Sequence, residues 1–480
     1  MDSNVEVVND RLSVLPDPIL VHILSFLPTL DSVRTMLLKR FGTLWTLLPN
    51  LDFDDSTFDI WYNLCPDNVD AGDGGGDDND EYSSVNWAFF IFVRNVLVRH
   101  RRPKITRFRV SIGGSYYSDI EEAKLSHELD SWIDFALRKD VEILEFNVGM
   151  VEPDELLYKL PYTEFVNDSI TELKLEFLEI KPQTRLQMSL LQVLRLIRVE
   201  ISGYVLHNIT QGCPVLKELE IYNCSVLEEV RIDASNVEKL ILDTSEHYDV
   251  GPIVNCPHLR SFWFTGFVNC IEVQDLSSLV DVKFNLRSQN LEFKEFEQFM
   301  AALKPVLTAK FVSFSCEFVT VFFYCMEKHL PQISLNWERV ELSMWLTEKH
   351  IPGLCRMLKN SPYLEELVID VTSWHRDFLQ PIELILDNFT MDEEDCCSRS
   401  LKRVVIYNTS MCSYPCLVHL ISSLLQNATV LAELVIYYKA DDKLLYESLL
   451  SSEQWTEFSN NLLTFPRSSQ HVIVSLCKEV

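Results

Sequence analysis

A six-residue unit, φ-x-x-φ-x-φ with φ apolar, recurs along this 480-residue chain at a nearly constant interval. Its clear copies are Ile170-x2-Leu173-x-Leu175, Leu191-x2-Leu194-x-Leu196, Leu216-x2-Leu219-x-Ile221, Val237-x2-Leu240-x-Leu242, Leu259-x2-Phe262-x-Phe264 and Leu279-x2-Val282-x-Phe284. Their first residues are 21, 25, 21, 22 and 20 positions apart. Weaker, more widely spaced copies start at Ile105, Val141, Ala309, Trp337, Leu364, Leu401 and Leu431. An interval of this kind means that one supersecondary unit is repeated, and a single unit cannot cover its own apolar face. Stacking buries that face.

The last two φ residues of each copy alternate at period two, as a short strand does when one face is buried. The residues between copies return the chain as helix or irregular turn, for example over Tyr204–Pro214. Intervals of 20–25 residues fall in the leucine-rich-repeat range of about 20–29. They leave little room for the crossover helix of a doubly wound sheet. The expected class is α/β, with an irregular leucine-rich-repeat solenoid and a curved parallel sheet over 85–396. Past Cys397 the period lengthens. Leu401–Ile406 and Leu431–Tyr438 read as strands, with Pro415–Gln426 an amphipathic helix between them. That β-α-β segment, 397–480, is expected to cap the open end of the solenoid.

Ahead of the repeats the pattern differs. Residues 1–10 read as a tail. Over 11–55, Pro16-Asp17-Pro18 marks a helix entrance, where a missing N–H costs nothing. Ile19, Leu20, Ile23, Leu24 and Leu27 then form one wide helical stripe that Pro28 ends. A second helix is expected over Asp31–Leu38, with Val33, Met36 and Leu37 on one side. A third is expected over Phe41–Leu48, with Phe41, Leu44, Trp45 and Leu48 at helical spacing. A core this small supplies only a few kcal/mol, and the stripe is wider than its interior can use. Residues 56–84 read as an acidic linker, because Pro66–Ser84 is rich in Gly and Asp and too polar to order itself. From Phe41 to Val93 there is no Lys or Arg, against eleven acidic residues.

Charge and motif content narrow the function. With 42 Lys and Arg against 71 Asp and Glu, the net charge is −29. That argues against a nucleic-acid backbone or an anionic membrane as partner. Neither GxGxxG nor GxxxxGK[ST] is present. The start, Met1 to Glu6, is acidic and unlike a secretory signal. No uncharged apolar stretch approaches 18 residues, so no membrane span is expected. The 13 Cys are scattered without a CxxC, which reads as reduced thiols serving as small core residues. No GxSxG or HExxH occurs, and the 11 His lack partners at useful spacing. A non-enzymatic binding protein without metal or cofactor is the expectation.

The run Asp10–Thr29, followed in order by Val33-Arg34-Thr35, Leu44-Trp45 and Leu48-Pro49-Asn50-Leu51-Asp52-Phe53-Asp54, resembles an F-box. Gly212-Cys213-Pro214-Val215-Leu216-Lys217-Glu218-Leu219 resembles a repeat unit of plant F-box leucine-rich-repeat proteins. Leu401–Val404, Leu425–Ala428 and Leu431–Tyr437 resemble the FBD module that ends that family. Together these resemblances span nearly the whole chain apart from the acidic linker. They imply a substrate-recognition subunit of an SCF-type ubiquitin ligase, in cytoplasm or nucleus. The F-box would dock on the Skp-type linker protein and through it reach cullin, while the repeats hold an unknown protein substrate. Such a receptor acts by tethering, raising the effective concentration of substrate near the conjugating enzyme.

The family commonly reads Leu-Ser-Lys-Arg-Trp between the second and third F-box helices. Here Leu38-Lys39-Arg40-Phe41 lacks the Ser and has Phe for Trp. One residue deleted inside a helix rotates everything beyond it by about 100°, whereas a connecting turn absorbs the loss. The alternative is therefore a leucine-rich-repeat binding protein whose degenerate F-box does not recruit the ligase.

Two sets of residues are candidates. Leu15, Pro16, Ile19, Leu20, Ile23, Leu24, Leu27, Pro28, Val33 and Trp45 are expected to form core and docking face together, as an amphipathic helix does in a groove. On the repeats, the outward strand positions Glu218, Glu220, Tyr222, Lys239, Trp263 and Lys283 are candidates for substrate contact, with the aromatics as anchors.

Overall fold

In the computed structural model the described residues are 12, 14–57, 79–113, 122–149, 157–162, 164–226, 231–244, 253–267, 272–274, 276, 278–287, 306–316, 318–319, 322–323, 326, 334–347, 350–372, 399–409, 412–438 and 452–478. The chain divides into two compact units, Met1–Glu228 and Glu229–Val480. Each is built on parallel strands laid side by side in chain order. The first unit holds Asn50–Asp54, Arg107–Gly113, Ile143–Gly149, Glu172–Glu176, Val193–Ile197 and Glu218–Tyr222. The second holds Lys239–Asp243, Ser261–Phe267, Asp281–Arg287, Phe311–Phe314, Arg339–Met344, Glu366–Val371, Arg403–Tyr407, Glu433–Tyr438 and Ile473–Lys478.

Every copy of the repeated motif, clear or weak, carries one of these strands, which begins two residues after the first φ. The second and third φ residues point inward and stack in register. Leu194 pairs across to Leu219 and Leu196 to Ile221 in the first unit; Leu240 pairs to Phe262 and Leu242 to Phe264 in the second. All of these are buried, each burial contributing about 1.5–3 kcal/mol. The first φ seals the turn below. There the backbones are linked in a second ladder, with Gln192 N–H donating to Thr171, Lys217 to Gln192, Val280 to Arg260 and Lys310 to Val280. Thus the pattern is satisfied only when each copy has a neighbour.

The return segments are short. Gly203–Gly212 is a helix whose N-terminal Ser202 Oγ accepts from the Val205 N–H at 3.3 Å. Others are two- or three-residue strands, such as Leu178–Glu179, Glu200–Ile201 and Ser225–Val226 in one parallel set. Phe177, Arg198, Asn223 and Asn408 each follow a strand directly and have φ of 47–55°, a left-handed kink that turns the chain out of the sheet.

Several expectations are corrected. The N-terminal module is not three α-helices. It has α1 (Asp17–Leu24), α2 (Thr29–Arg34) running into a 3-10 turn over Thr35–Leu37, and only one further 3-10 turn, Leu44–Leu47. Gly42 and Thr43 are poor helix formers and Pro49 stops the segment, so too few residues remain to nucleate an α-helix. Lys39 and Arg40 lie in the intervening turn, so the family's missing residue rotates no helix. The strand Asn50–Asp54 lies inside the stretch read as the F-box and pairs with Arg107–Gly113.

Most of the expected linker, 58–78, lies outside the described residues; a helix, Asn79–Arg99, has already begun at its far end. Phe89, Phe90, Val93, Val96 and Leu97 anchor that helix at helical spacing, with Phe90 stacked on Trp132. The C-terminal segment places the helix Tyr414–Asn427 between two strands as expected, and then adds the helix Ser452–Leu462 and the strand Ile473–Lys478. It prolongs the parallel sheet in register. Most described cysteines are buried thiols; burial pushes Cys256 up to about 11 and Cys224 up to about 12. Cys355 is disulfide-bonded, so reduced core thiols are not the whole inventory.

Candidate functional site

The N-terminal helices are tied down at three points. Ser32 Oγ donates to the Leu24 carbonyl at 2.9 Å and joins α2 to the end of α1. Thr29 Oγ1 accepts from the Asp52 N–H at 2.7 Å and joins α2 to the first strand. Arg40 donates to the Leu15 carbonyl and to Asp17, which holds the turn after α2 against the start of α1.

This framework divides the apolar stripe into two halves. Leu20, Leu24, Leu44, Trp45 and Leu48 are buried and form the small interior. Ile19, Ile23 and Leu27 are exposed, as are Pro16 and Pro28. Leu15 and Val33 are half-buried. Of the ten predicted docking residues, Leu20, Leu24 and Trp45 therefore serve internal structure, while Ile19, Ile23 and Leu27 remain available.

More apolar side chains lie on the outside than the spacing indicated. Leu12, Val14, Phe26, Met36, Leu37, Leu38 and Leu47 are also exposed. Phe26 is 74% exposed and Leu37 82%, near the limit for an unfolded side chain. Ten exposed apolar side chains within 12–47 exceed the scattered singles that a monomer surface tolerates. The run Met36-Leu37-Leu38, three apolar residues abreast ahead of Lys39, is the signal that periodicity missed, since a helix with one buried face has no use for three in a row.

The second candidate set is distributed over both units. In the first, Glu218 and Tyr222 are half-buried. Glu220 is buried and accepts from Arg195 Nε at 3.0 Å, with the Tyr222 hydroxyl at 3.4 Å. In the second unit Trp263 is exposed, and its Nε1 donates to Asp281 Oδ2 at 3.1 Å. Lys239 and Lys283, from the strands on either side, lie 5.8 and 5.5 Å from the ring centre, within cation–π reach. Lys239, Trp263 and Lys283 thus form one cluster, whereas Glu220 is committed to an internal ion pair. Farther along the same face Val368, Val405 and Val435 close into an apolar cluster with Tyr437 and Cys477 against it. Among the described residues no group of His, Cys, Asp and Glu is arranged to hold a metal ion.

Comparison with known proteins agrees with the repeat fold. The family model described as At1g61320/AtMIF1, LRR domain, matches residues 96–464. Among curated relatives from Arabidopsis thaliana, F-box/LRR-repeat protein At3g59200 is 27% identical over 404 residues, covering 76% of this chain and 69% of the relative. F-box/LRR-repeat protein At4g14103 is 25% identical over 382 residues, covering 75% and 91%. F-box/LRR-repeat protein At3g03360 is 24% identical over 376 residues, covering 75% and 70%.

Proposed function

The chain belongs to the family of the At1g61320/AtMIF1 LRR domain, and from that premise we propose that it is the substrate receptor of an SCF-type ubiquitin ligase. In this reading the N-terminal helices act as an F-box that docks on a Skp-type linker protein and through it on cullin. The repeats hold a protein substrate, and residues 397–480 act as an FBD module that completes the sheet. The observation that carries the reading is the exposed apolar face of α1 and the turns after α2, which no part of the described chain covers. Covering such side chains with a partner takes apolar surface out of water that a module this small cannot bury by itself. The relatives' names, F-box/LRR-repeat protein, point the same way. The receptor performs no bond chemistry. It converts an encounter between substrate lysines and a ubiquitin-loaded enzyme into an intramolecular one.

Co-expression with a plant Skp-type linker protein, followed by a sizing column, tests this. The full-length chain is expected to elute as a one-to-one complex. Ile19→Asp with Ile23→Asp, both exposed, is expected to elute alone while remaining folded. A soluble wild-type chain that binds none of several linker paralogues would refute the proposal.

A further inference from the structure

Beside the exposed helices the charge of the molecule reverses locally. The chain carries −29 overall, yet residues 99–109 include Arg99, Arg101, Arg102, Lys104, Arg107 and Arg109. Three of these are neutralised in ion pairs. Lys104 meets Glu142 at 2.8 Å, Arg107 meets Glu145 at 2.8 Å and Arg109 meets Asp52 at 2.7 Å. The other three meet no carboxylate among the described residues, and neither does Lys139, which joins them from the end of the helix Glu122–Arg138. Arg99 Nη1 donates to Asn95 Oδ1 at 2.8 Å. Arg102 donates to the carbonyls of Lys104 at 3.2 Å and Leu47 at 3.4 Å. Lys139 Nζ donates to the Arg102 carbonyl at 2.7 Å. The Arg101 side chain is exposed. Hydrogen bonds to amide oxygens satisfy these donors but leave their charge in place.

This group adjoins the apolar face. The Arg101 N–H donates to the Thr46 carbonyl at 2.8 Å, and Arg102 reaches the carbonyl of Leu47, whose side chain is one of the exposed apolar ten. A helix C-terminus favours a cation in its last turn, which explains Arg99. It does not explain Arg101 or Arg102, which lie beyond the helix.

We infer that Arg99, Arg101, Arg102 and Lys139 form a basic collar that receives an acidic segment of the partner protein covering the apolar face. The inference rests on the docking reading above. An acidic polypeptide fits because it alone satisfies both surfaces, apolar side chains against Leu47 and its neighbours and carboxylates against the collar. A nucleic acid is repelled by the rest of the chain, whose net charge is −29.

The test is the association rate of the full chain with a Skp-type linker protein, as a function of salt. Arg99→Glu with Arg101→Glu reverses the charge, and Arg99→Gln with Arg101→Gln removes it; thermal melts confirm that both fold. At about 50 mM salt the reversed variant is expected to associate about tenfold more slowly and the neutral variant to fall between it and wild type. The three are expected to converge near about 0.5 M salt, where screening is short-ranged. Rates within twofold of wild type would overturn the collar while leaving docking intact, provided that Ile19→Asp with Ile23→Asp still abolishes binding. A deficit that persists at high salt would overturn it too, since the contact would then be one of shape. So would retardation of a random DNA duplex near physiological salt that depends on the same arginines. A wild-type chain that does not bind the linker protein removes both the collar and the docking reading.

Discussion

Gly212 ends its helix where the backbone passes closest to the strand Arg185–Gln187. A Cβ there would lie 2.1 Å from the Leu186 carbonyl oxygen, and a backbone atom cannot swing aside. Gly212→Ala is therefore expected to lower stability by about 1–3 kcal/mol in urea unfolding. Gly113→Ala, with nothing within 4 Å of the new methyl, should change the midpoint little; equal effects would refute the close-approach argument. His100 offers a second residue-scale test. It is buried, its Nε2–H donates to the Leu48 carbonyl at 2.9 Å, and its Nδ1 has no partner among the described residues. Burial, with Lys139 and Arg102 nearby, holds it below its ordinary 6.5 despite the Leu48 bond. The unfolded chain therefore takes up this proton at a higher pH than the folded one does. The stability that His100 contributes is complete above about pH 6.5 and falls as pH drops below it. The wild-type urea midpoint should fall between pH 7 and pH 5.5 by more than that of His100→Gln. Identical falls would show that His100 does not titrate in this way.

Strands were the most legible elements, because a buried face leaves a period that composition cannot disguise. All the motif copies became strands, the weak ones included. The two- and three-residue strands of the return segments carry too few residues to show a period, and two of the long strands escaped notice for other physical reasons. Leu48-x2-Leu51-x-Phe53 obeys the motif but lies in residues that also match the order of an F-box. Ahead of Ile473–Lys478 the place of the first φ is taken by an exposed His471, and an edge strand buries only one flank. The N-terminal helices were less legible. Spacing finds a stripe, but it cannot divide one between an interior and a partner, so Leu24 and Ile19 looked equivalent. They are not: Asp at the buried Leu24 would unfold the module, whereas Asp at Ile19 leaves its interior intact. Within the sheet, Leu194 lies in register between Leu173 and Leu219 and is fully buried. Leu194→Ala should cost about 2–5 kcal/mol. Its neighbour Arg195 joins Glu172 and Glu220 across the half-exposed outer face. Truncating it breaks a pair with one buried carboxylate, Glu220, and the loss should stay below that of Leu194→Ala. A reversed order would mean that ion pairs rather than stacked leucines hold the repeats.

For the molecule as a whole, the repeat strands and the N-terminal helices carry different kinds of surface. The strands of both units meet solvent with charged side chains largely paired among themselves, as Arg403 does with Glu366 and Glu433. The N-terminal helices meet it with unpaired apolar residues beside a collar of cations. A surface of the second kind is costly in water unless it is covered. Hydrogen exchange on the full chain, with and without a Skp-type linker protein, reads this division most directly. Protection should be gained over Leu15–Leu27 and Thr35–Leu47 and should stay unchanged in the strands Glu218–Tyr222 and Ser261–Phe267. Binding that protects those strands and leaves 15–47 exchanging as before would contradict the assignment of the docking face to the N-terminal helices.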